Sequence, residues 1–141
     1  MSYLLDTNVV SELRKLPRGN ADPGVTTWIT RVDAAETYLS VISVLELELG
    51  VLRLERKDSR QGAMLRNWLE RQVLPSFEGR TLPLDLDAAR RCAKLHVPDP
   101  RSERDAMVAA SALAHGMTIV TRNEADFTGC GVALINPWQQ A

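Results

Sequence analysis

Short apolar runs alternate along the chain with longer segments in which apolar residues recur every three or four positions. The short runs predict five strands, at Tyr3–Leu5, Tyr38–Val41, Arg80–Leu84, Thr118–Thr121 and Val132–Ile135. The longer segments predict helices, at Val9–Lys15, Gly24–Val32, Val44–Glu55, Gly62–Leu74, Leu86–Leu95 and Glu103–His115. Because strands that alternate with helices form a mainly parallel sheet covered on both faces, the pattern predicts an α/β fold.

The segment Val44–Leu74 carries more apolar surface than one face of a sheet needs. Its two predicted helices are joined by the charged stretch Glu55–Arg60, so we expect an antiparallel pair that projects beyond the sheet. Surplus apolar surface often marks a protein partner, whereas ordinary core is the alternative. The residues concerned are Leu47, Leu49, Val51, Leu52, Met64, Leu65, Trp68, Leu69, Val73 and Leu74.

Composition and charge narrow the class of protein without identifying a function. We expect one domain over residues 1–141, since hydrophobic residues make up 45% and charged residues 25% of the chain. The net charge of −1 excludes an overall basic field, so a polyanion would have to be bound locally. Three local clusters of cations are each either a solvated helix face or a phosphate contact: Arg14, Lys15 and Arg18; Arg53, Arg56, Lys57 and Arg60; Arg90, Arg91 and Lys94.

The cysteines and histidines form no recognisable disulfide or metal pattern. Cys92 and Cys130 are too few and too far apart, and His96 and His115 are expected at helix ends. The N-terminal sequence lacks the basic region and long apolar run of a signal peptide. No run approaches the roughly 18 apolar residues of a membrane span. These features predict a cytoplasmic protein.

Three acidic residues lie near predicted junctions between strands and helices. Asp6 ends the first strand, Glu46 follows the second, and Asp105 begins the helix before the fourth. In an open parallel sheet these junctions meet at the edge where ligands bind. Carboxylates crowded there repel one another and raise their own pKa values, and a hard divalent cation such as Mg²⁺ or Mn²⁺ relieves that repulsion. The acids therefore predict an oxygen-rich cation site.

Helix capping is the alternative explanation for each acid taken singly. Ser43-x-x-Glu46 and Ser102-x-x-Asp105 have the spacing of a capping box, and Asp6 could cap a helix that begins near Asn8. Other catalytic patterns are absent from the sequence, including the phosphate-binding loop, the His-Glu-x-x-His zinc motif and the Gly-x-Ser-x-Gly elbow.

Four sequence blocks surround these acids and span nearly the whole chain. They are Leu5-Asp6-Thr7-Asn8-Val9-Val10-Ser11-Glu12, Ser40-Val41-Ile42-Ser43-Val44-Leu45-Glu46-Leu47-x-x-Gly50, Asp105-Ala106-x-x-Ala109-x-x-Ala112-x-x-His115-Gly116 and Val120-Thr121-Arg122-Asn123-x-x-Asp126-Phe127. Their order and content resemble the PIN-domain nucleases, and most of all the VapC toxins of type II toxin–antitoxin systems. The run Leu74-Pro75-x-Phe77-x-Gly79-Arg80-x-Leu82-Pro83 and the ending Ile135-Asn136-Pro137-Trp138 resemble the FitB branch.

The resemblance implies a three-layer α/β/α PIN-like fold with a central sheet of about five strands. It also implies a Mg²⁺-dependent endoribonuclease, with Mn²⁺ as the alternative ion, that cleaves RNA by metal-assisted hydrolysis. Its partners would be a cognate antitoxin that docks on the helical pair and the RNA substrate. The expected assembly is a homodimer, or a heterotetramer or hetero-octamer with the antitoxin, and DNA is expected to bind only through the antitoxin. The rival hypothesis is a catalytically weak binding module that acts in a DNA-binding repressor complex.

Carried over residue by residue, Asp6 and Asp105 are the expected metal ligands and Glu46 completes the cluster, while Thr7 adds a hydroxyl. Family members often carry an acid after the Thr-Arg pair, but here that residue is Asn123. Asp126, one turn further on, is the other candidate for this fourth position.

Arg122 follows a predicted buried strand at the same edge. It could bind a phosphate through two hydrogen bonds. It could instead pair with Glu124 or with another acid, and we expect pairing.

Overall fold

A single parallel sheet forms the centre of the computed structural model, which describes residues 1–139. Its strands lie in the order β3-β2-β1-β4-β5 and all neighbouring pairs are parallel. The strands are β1 (Tyr3–Leu5), β2 (Thr37–Ser40), β3 (Thr81–Leu82), β4 (Thr118–Val120) and β5 (Leu134–Ile135). The predicted α/β/α fold with about five strands is therefore confirmed.

Helices connect these strands in chain order. They are α1 (Thr7–Leu13), α2 (Pro23–Arg31), α3 (Val41–Lys57), α4 (Ser59–Trp68), α5 (Leu74–Ser76), α6 (Leu86–Leu95) and α7 (Glu103–His115). A π-helical turn (Leu69–Val73) joins α4 to α5, and short 3₁₀ turns lie at Leu16–Arg18, Ala34–Glu36, Glu124–Phe127 and Pro137–Gln139. Within residues 1–139 no helix has the length and apolar character required to cross a membrane.

Adjacent residues of the central strands enter two different hydrophobic cores. Leu5 and Val120 belong to the core shared with α1, α2, α3 and the π-helical turn. Leu4 and Ile119 belong to the core shared with α7 and Phe127. Since successive side chains of a strand point to opposite faces, both faces of the sheet are covered. This arrangement explains why the strands are short, continuously apolar runs.

The start of α3 differs from the prediction. The helix begins at Val41 rather than Val44, because the Ser40 hydroxyl accepts a hydrogen bond from the Ile42 N–H at 3.0 Å and caps the helix. Ser43 therefore lies inside the helix with its hydroxyl buried, so the capping box expected for Ser43 and Glu46 is wrong. As a result, β2 ends one residue earlier than predicted.

Helices α3 and α4 pack closely at Gly62. A Cβ atom built there would lie 2.4 Å from the Glu55 Cα, so a larger residue would separate the helices. Asp58 ends α3 and caps α4 by accepting a hydrogen bond from the Gln61 N–H at 3.0 Å. The predicted antiparallel pair is thus joined by a one-residue turn.

Arg66 of α4 binds two carboxylates of α3 and one of the π-helical turn. Its guanidinium nitrogens lie 2.5 Å from Glu48, 3.1 Å from Glu55 and 3.7 Å from Glu70. The hydrogen bonds that Arg66 donates to Glu55 and Glu48 raise the pKa of Arg66. These three glutamates therefore share a cation of the protein itself.

The apolar surplus of the pair divides between core and surface. Leu47, Val51, Leu69 and Val73 are buried in the core. Other apolar side chains remain exposed: Leu45 (49%), Leu52 (53%), Met64 (50%) and Leu74 (38%). The core explanation therefore applies to part of the segment, and the rest of its apolar surface is exposed.

Candidate functional site

Asp6 occupies the junction between β1 and α1 and is only 7% exposed. One carboxylate oxygen, Oδ1, accepts a hydrogen bond from the Thr7 N–H at 2.9 Å and so caps α1. The other, Oδ2, accepts from the Thr121 hydroxyl at 2.8 Å and from the Asn8 amide at 3.2 Å. These bonds hold the carboxylate in one orientation. Asp6 therefore caps α1 with one oxygen, and its other oxygen bonds to Thr121 and Asn8.

Asn8 and Thr121 form a bridge between the loops that follow β1 and β4. The Asn8 amide nitrogen donates to the Thr121 hydroxyl at 3.4 Å, and its oxygen accepts from the Arg122 N–H at 3.1 Å. The Thr121 hydroxyl also accepts from the Asn123 N–H at 3.0 Å. Neither Asn8 nor Thr121 had a role in the sequence-based prediction. Thr121 directly follows β4, and Asn8 lies in the first turn of α1.

Glu46 lies in the second turn of α3 and faces Thr7. The Thr7 hydroxyl donates to the Glu46 Oε1 at 2.7 Å, which joins α1 to α3 at the site. The Arg104 guanidinium lies 3.7 Å from the Glu46 Oε2, with the Arg104 side chain about half exposed. Thr7 therefore contributes its hydroxyl to the acidic cluster through a direct contact with Glu46.

Asp105 lies in the first turn of α7, three residues after the N-cap Ser102. Burial raises the pKa of Asp105, and the nearby Asp126 raises it further, as do Asp6 and Glu46. The Ser102 hydroxyl opposes this shift by hydrogen bonding to the carboxylate. Ser102 makes no side-chain capping bond to α7, so the capping box expected for Ser102 and Asp105 is not formed. The Asp105 carboxylate is instead influenced electrostatically by three other acids.

Asp6 shows the same electrostatic strain. Burial raises the pKa of Asp6 and outweighs the hydrogen bonds from Thr121 and Thr7, while Glu46 adds to the rise. Three acids that are far apart in the sequence thus act on one another in the folded chain. Thr7 links the Asp6 end of α1 to Glu46, and the charges of Asp6 and Glu46 both influence Asp105.

Both candidates for the fourth acidic position are exposed residues. Asn123 precedes the 3₁₀ turn Glu124–Phe127, and its N–H bonds to Thr121. Asp126 lies within that turn, and it is the acid with the largest electrostatic effect on Asp105. Asp126 is therefore the better placed of the two to act with the cluster.

Arg122 does not pair with Glu124 as the sequence suggested. Its guanidinium lies over the Trp138 ring, 5.4 Å from the ring centroid. The Glu124 carboxylate accepts a hydrogen bond from the Asn136 amide at 3.2 Å instead. Glu124 is thus hydrogen-bonded to Asn136, and the Arg122 guanidinium stacks on the Trp138 ring.

The chemistry of the donor set suits a hard divalent cation. The side chains are carboxylates with one hydroxyl, which are the ligands that Mg²⁺ and Mn²⁺ prefer. No three His, Cys, Asp or Glu side chains within residues 1–139 are close enough to form a ready cage. Mg²⁺ commonly keeps several waters and uses one or two carboxylates, so such a cage is not required.

Comparison with known proteins assigns the chain to a family. The model of the PIN domain family matches residues 3–128, so the chain belongs to the PIN domain family. It is 39% identical over 143 residues to the VapC ribonuclease Y4jK of Sinorhizobium fredii, covering 98% of this chain and 99% of that protein. It is 38% identical over 142 residues to the toxin FitB of Neisseria gonorrhoeae, covering 96% and 97%.

A solved structure from the same organism as FitB agrees with this assignment. The crystal structure of FitAcB from Neisseria gonorrhoeae superposes with a TM-score of 0.86 at 34% identity, covering 97% of this chain and 99% of that one. The resemblance to PIN-domain proteins, and to VapC and FitB among them, is therefore confirmed.

Proposed function

We propose that this protein is a Mg²⁺-dependent endoribonuclease and the toxin of a type II toxin–antitoxin module. The observation that carries the proposal is the electrostatic coupling of Asp6, Glu46 and Asp105, two of which have raised pKa values. Such a cluster is unfavourable unless a cation binds it. The ribonuclease and toxin relatives support this chemistry at the level of the family.

In the proposed mechanism Asp6 and Asp105 hold the ion. When bound, Mg²⁺ or Mn²⁺ would neutralise charge on the scissile phosphate and promote attack by water. The hydrogen bonds from Thr121, Thr7 and Asn8 orient Asp6 and favour its charged form, while burial raises its pKa overall. Each of these donors stabilises the carboxylate that the ion requires.

Glu46 positions the nucleophile in this proposal. The hydrogen bond from Thr7 and the nearby charge of Arg104 fix its carboxylate at the rim of the cluster. A fixed, ionised acceptor can orient a water for in-line attack. Asp126 completes the set next to Asp105, whereas Asn123 supplies an amide that can bind a water or a phosphate oxygen.

The proposed partner is a cognate antitoxin that covers the α3–α4 pair. Leu45, Leu52 and Met64 are about half exposed there, and exposed apolar patches often mark protein partners. Another solved structure, 34% identical to this chain, is that of FitAB bound to a DNA fragment. We propose that the protein works in the cytoplasm as a homodimer, or as a heterotetramer or hetero-octamer with the antitoxin, which contacts DNA in its place.

The experiment that tests the function is cleavage of a mixed RNA pool by the purified protein. Cutting is expected with Mg²⁺ and is expected to disappear with EDTA or in Asp6→Ala. Asp85→Ala is the matched control, because Asp85 also caps a helix, accepting from the Ala88 N–H at 2.9 Å. Cutting by folded Asp6→Ala at the wild-type rate would contradict the mechanism. A folded wild-type protein that cuts no RNA would favour the binding-module hypothesis.

A further inference from the structure

Two adjacent pockets lead away from the acidic cluster. The inner pocket, of about 200 Å³, is lined by Thr7, Arg14, Glu46 and Trp68 among others, so it begins at the cluster itself. The outer pocket, of about 600 Å³, is lined by Arg14, Lys15, Arg18, Asn20, Gln61 and Met64 among others. Arg14 lines both, so the two pockets are neighbours that meet at this residue, and together they are called the path below.

Helix α1 sets the length of this path. Asp6 caps the start of α1 and Arg14 caps its end. A helix of seven residues is about 10 Å long, so the cations lie roughly that far from the acids. The 3₁₀ turn Leu16–Arg18 follows and ends at Gly19, and Lys15 and Arg18 both line the outer pocket.

The charges along the path differ from those at the cluster. Lys15 is paired with Glu12 at 3.1 Å. Arg14 and Arg18 have no carboxylate partner among residues 1–139. A cluster of carboxylates repels the phosphates of a substrate, so a polyanion must be attracted by cations outside the cluster. The outer pocket supplies them, although the net charge of the whole chain is −1.

The inner pocket offers flat groups for stacking. Trp68 is partly exposed, and the Arg14 guanidinium lies over its ring at 5.8 Å from the centroid. Proteins that bind single-stranded nucleic acids combine such aromatic and guanidinium planes with a positively charged groove. A duplex has no free base face to place there.

From these features we propose that the two pockets form a subsite for single-stranded RNA, an inference that rests on the proposed nuclease function. A base next to the scissile phosphate stacks in the inner pocket against Trp68 and Arg14. The following phosphates bind Arg14 and Arg18 in the outer pocket. Arg14, Arg18 and Trp68 are therefore the residues that position the substrate.

The charge part of the proposal is tested by binding of a fluorescent oligouridylate in EDTA over a range of salt concentrations. For single strands each neutralised phosphate contributes about 0.7 to the slope of log affinity against log salt. The double variant Arg14→Gln/Arg18→Gln should bind more weakly, with a slope reduced by about 1.4. The matched control is Arg90→Gln/Lys94→Gln on α6, which removes two positive charges elsewhere and should change the slope much less.

The stacking part is tested at Trp68. Trp68→Leu should lose on the order of tenfold in affinity, because a stacked base contributes strongly to binding. Trp68→Phe keeps an aromatic ring and should retain most of the affinity. Since Trp68 also packs against a hydrophobic core, thermal melting must show that each variant is folded. If Trp68→Leu does not fold, the arginine variants decide the proposal.

The results separate the subsite from the nuclease. RNA binding that depends on Arg14 and Arg18, without cleavage in Mg²⁺, would support the subsite and reject the nuclease. Cleavage with equal salt slopes in wild type and the Arg14→Gln/Arg18→Gln variant would reject the subsite and retain the nuclease. If the Arg14→Gln/Arg18→Gln variant binds RNA as wild type does but binds the antitoxin more weakly, the subsite is also rejected. The path would then be assigned to a protein partner.

Discussion

Acidic side chains gather at two places in this protein, and their surroundings are opposite. Beside the α3–α4 pair, Glu48, Glu55 and Glu70 surround Arg66 at 2.5 to 3.7 Å. At the sheet edge, Asp6 and Asp105 are partly desolvated and repel their acidic neighbours, which raises both pKa values. The first cluster contains its own cation. In the second, Arg104 lies 3.7 Å from Glu46, but within residues 1–139 neither Asp6 nor Asp105 forms an ion pair, which is the arrangement expected of a site for a metal ion.

The largest expected effect comes from the acids of the sheet edge. Asp6→Asn and Asp105→Asn should each lower RNA cleavage in Mg²⁺ by more than roughly 100-fold, since loss of groups that merely support metal ligands costs about 10- to 100-fold. Circular dichroism should show an unchanged fold. Cleavage rates within a few-fold of wild type in both variants would place the ion elsewhere.

A smaller effect should distinguish the two residues at the fourth position. Asp126→Asn should reduce cleavage by about tenfold, because Asp126 acts directly on Asp105 and supports the cluster. Asn123→Ala should change the rate less, since the contact that links Asn123 to the site is its backbone N–H. Equal rates for Asp126→Asn and wild type, with a large loss in Asn123→Ala, would reverse the assignment.

The contrasting cluster should respond in stability rather than in cleavage. Arg66→Met leaves three glutamates without their shared cation, so the melting temperature should fall. Arg66→Lys keeps the charge and should lie between Arg66→Met and wild type. Because these side chains are partly exposed, added salt should reduce the difference. A melting temperature that Arg66→Met leaves unchanged would show that the network adds nothing to stability.

The smallest expected effect is a gain in stability rather than a loss. The pKa of Asp105 is raised in the folded chain, so between the unfolded and folded values the folded state binds more protons. The free energy of unfolding therefore decreases as the pH rises through that window. Asp105→Asn should remove this part of the pH dependence and raise the melting temperature in EDTA at neutral pH by about 2 °C.

Glu12 is the control for the pH dependence of Asp105, because its pKa is shifted in the opposite direction. Burial alone would raise the pKa of Glu12, but the Asp22 N–H and Lys15 lower it overall. Its contribution to stability is therefore present above the unfolded pKa and is lost as the pH falls. Glu12→Gln should lower the melting temperature at neutral pH. A lower melting temperature for Asp105→Asn in EDTA would contradict the comparison.

The bounds of helices and strands were predicted best where the spacing of apolar residues alone determines them. Helices α6 and α7 and strand β1 have the predicted bounds, since each shows a clear apolar period. The helix predicted over Gly62–Leu74 is interrupted by a π-helical turn at Leu69–Val73, a change of hydrogen bonding that periodicity does not reveal. The start of α3 was misplaced because Ser40 and Ser43 are equally good caps in sequence. Only the sheet shows which of them is at the strand end.

The acids of the candidate site were proposed from the sequence, whereas the groups that orient them were not. Asp6, Glu46 and Asp105 follow from the rule that ligands bind where parallel strands end. The partners of Asp6 depend on the alignment of β1 beside β4, in which Leu5 lies opposite Val120. That alignment places Thr121 and Asn8 within hydrogen-bond distance, and short-range sequence patterns contain no information about it.

The hydrogen bond from Thr121 to Asp6 joins residues 115 positions apart in the chain. Asp6 is made early in synthesis, but it gains its orienting partner only after β4 and the loop to Asn123 have been made and have joined the sheet. A growing chain that stops before Thr118 therefore lacks an assembled carboxylate cluster. On the proposed function, cleavage is therefore expected only from a chain whose synthesis has passed β4 and whose sheet has formed.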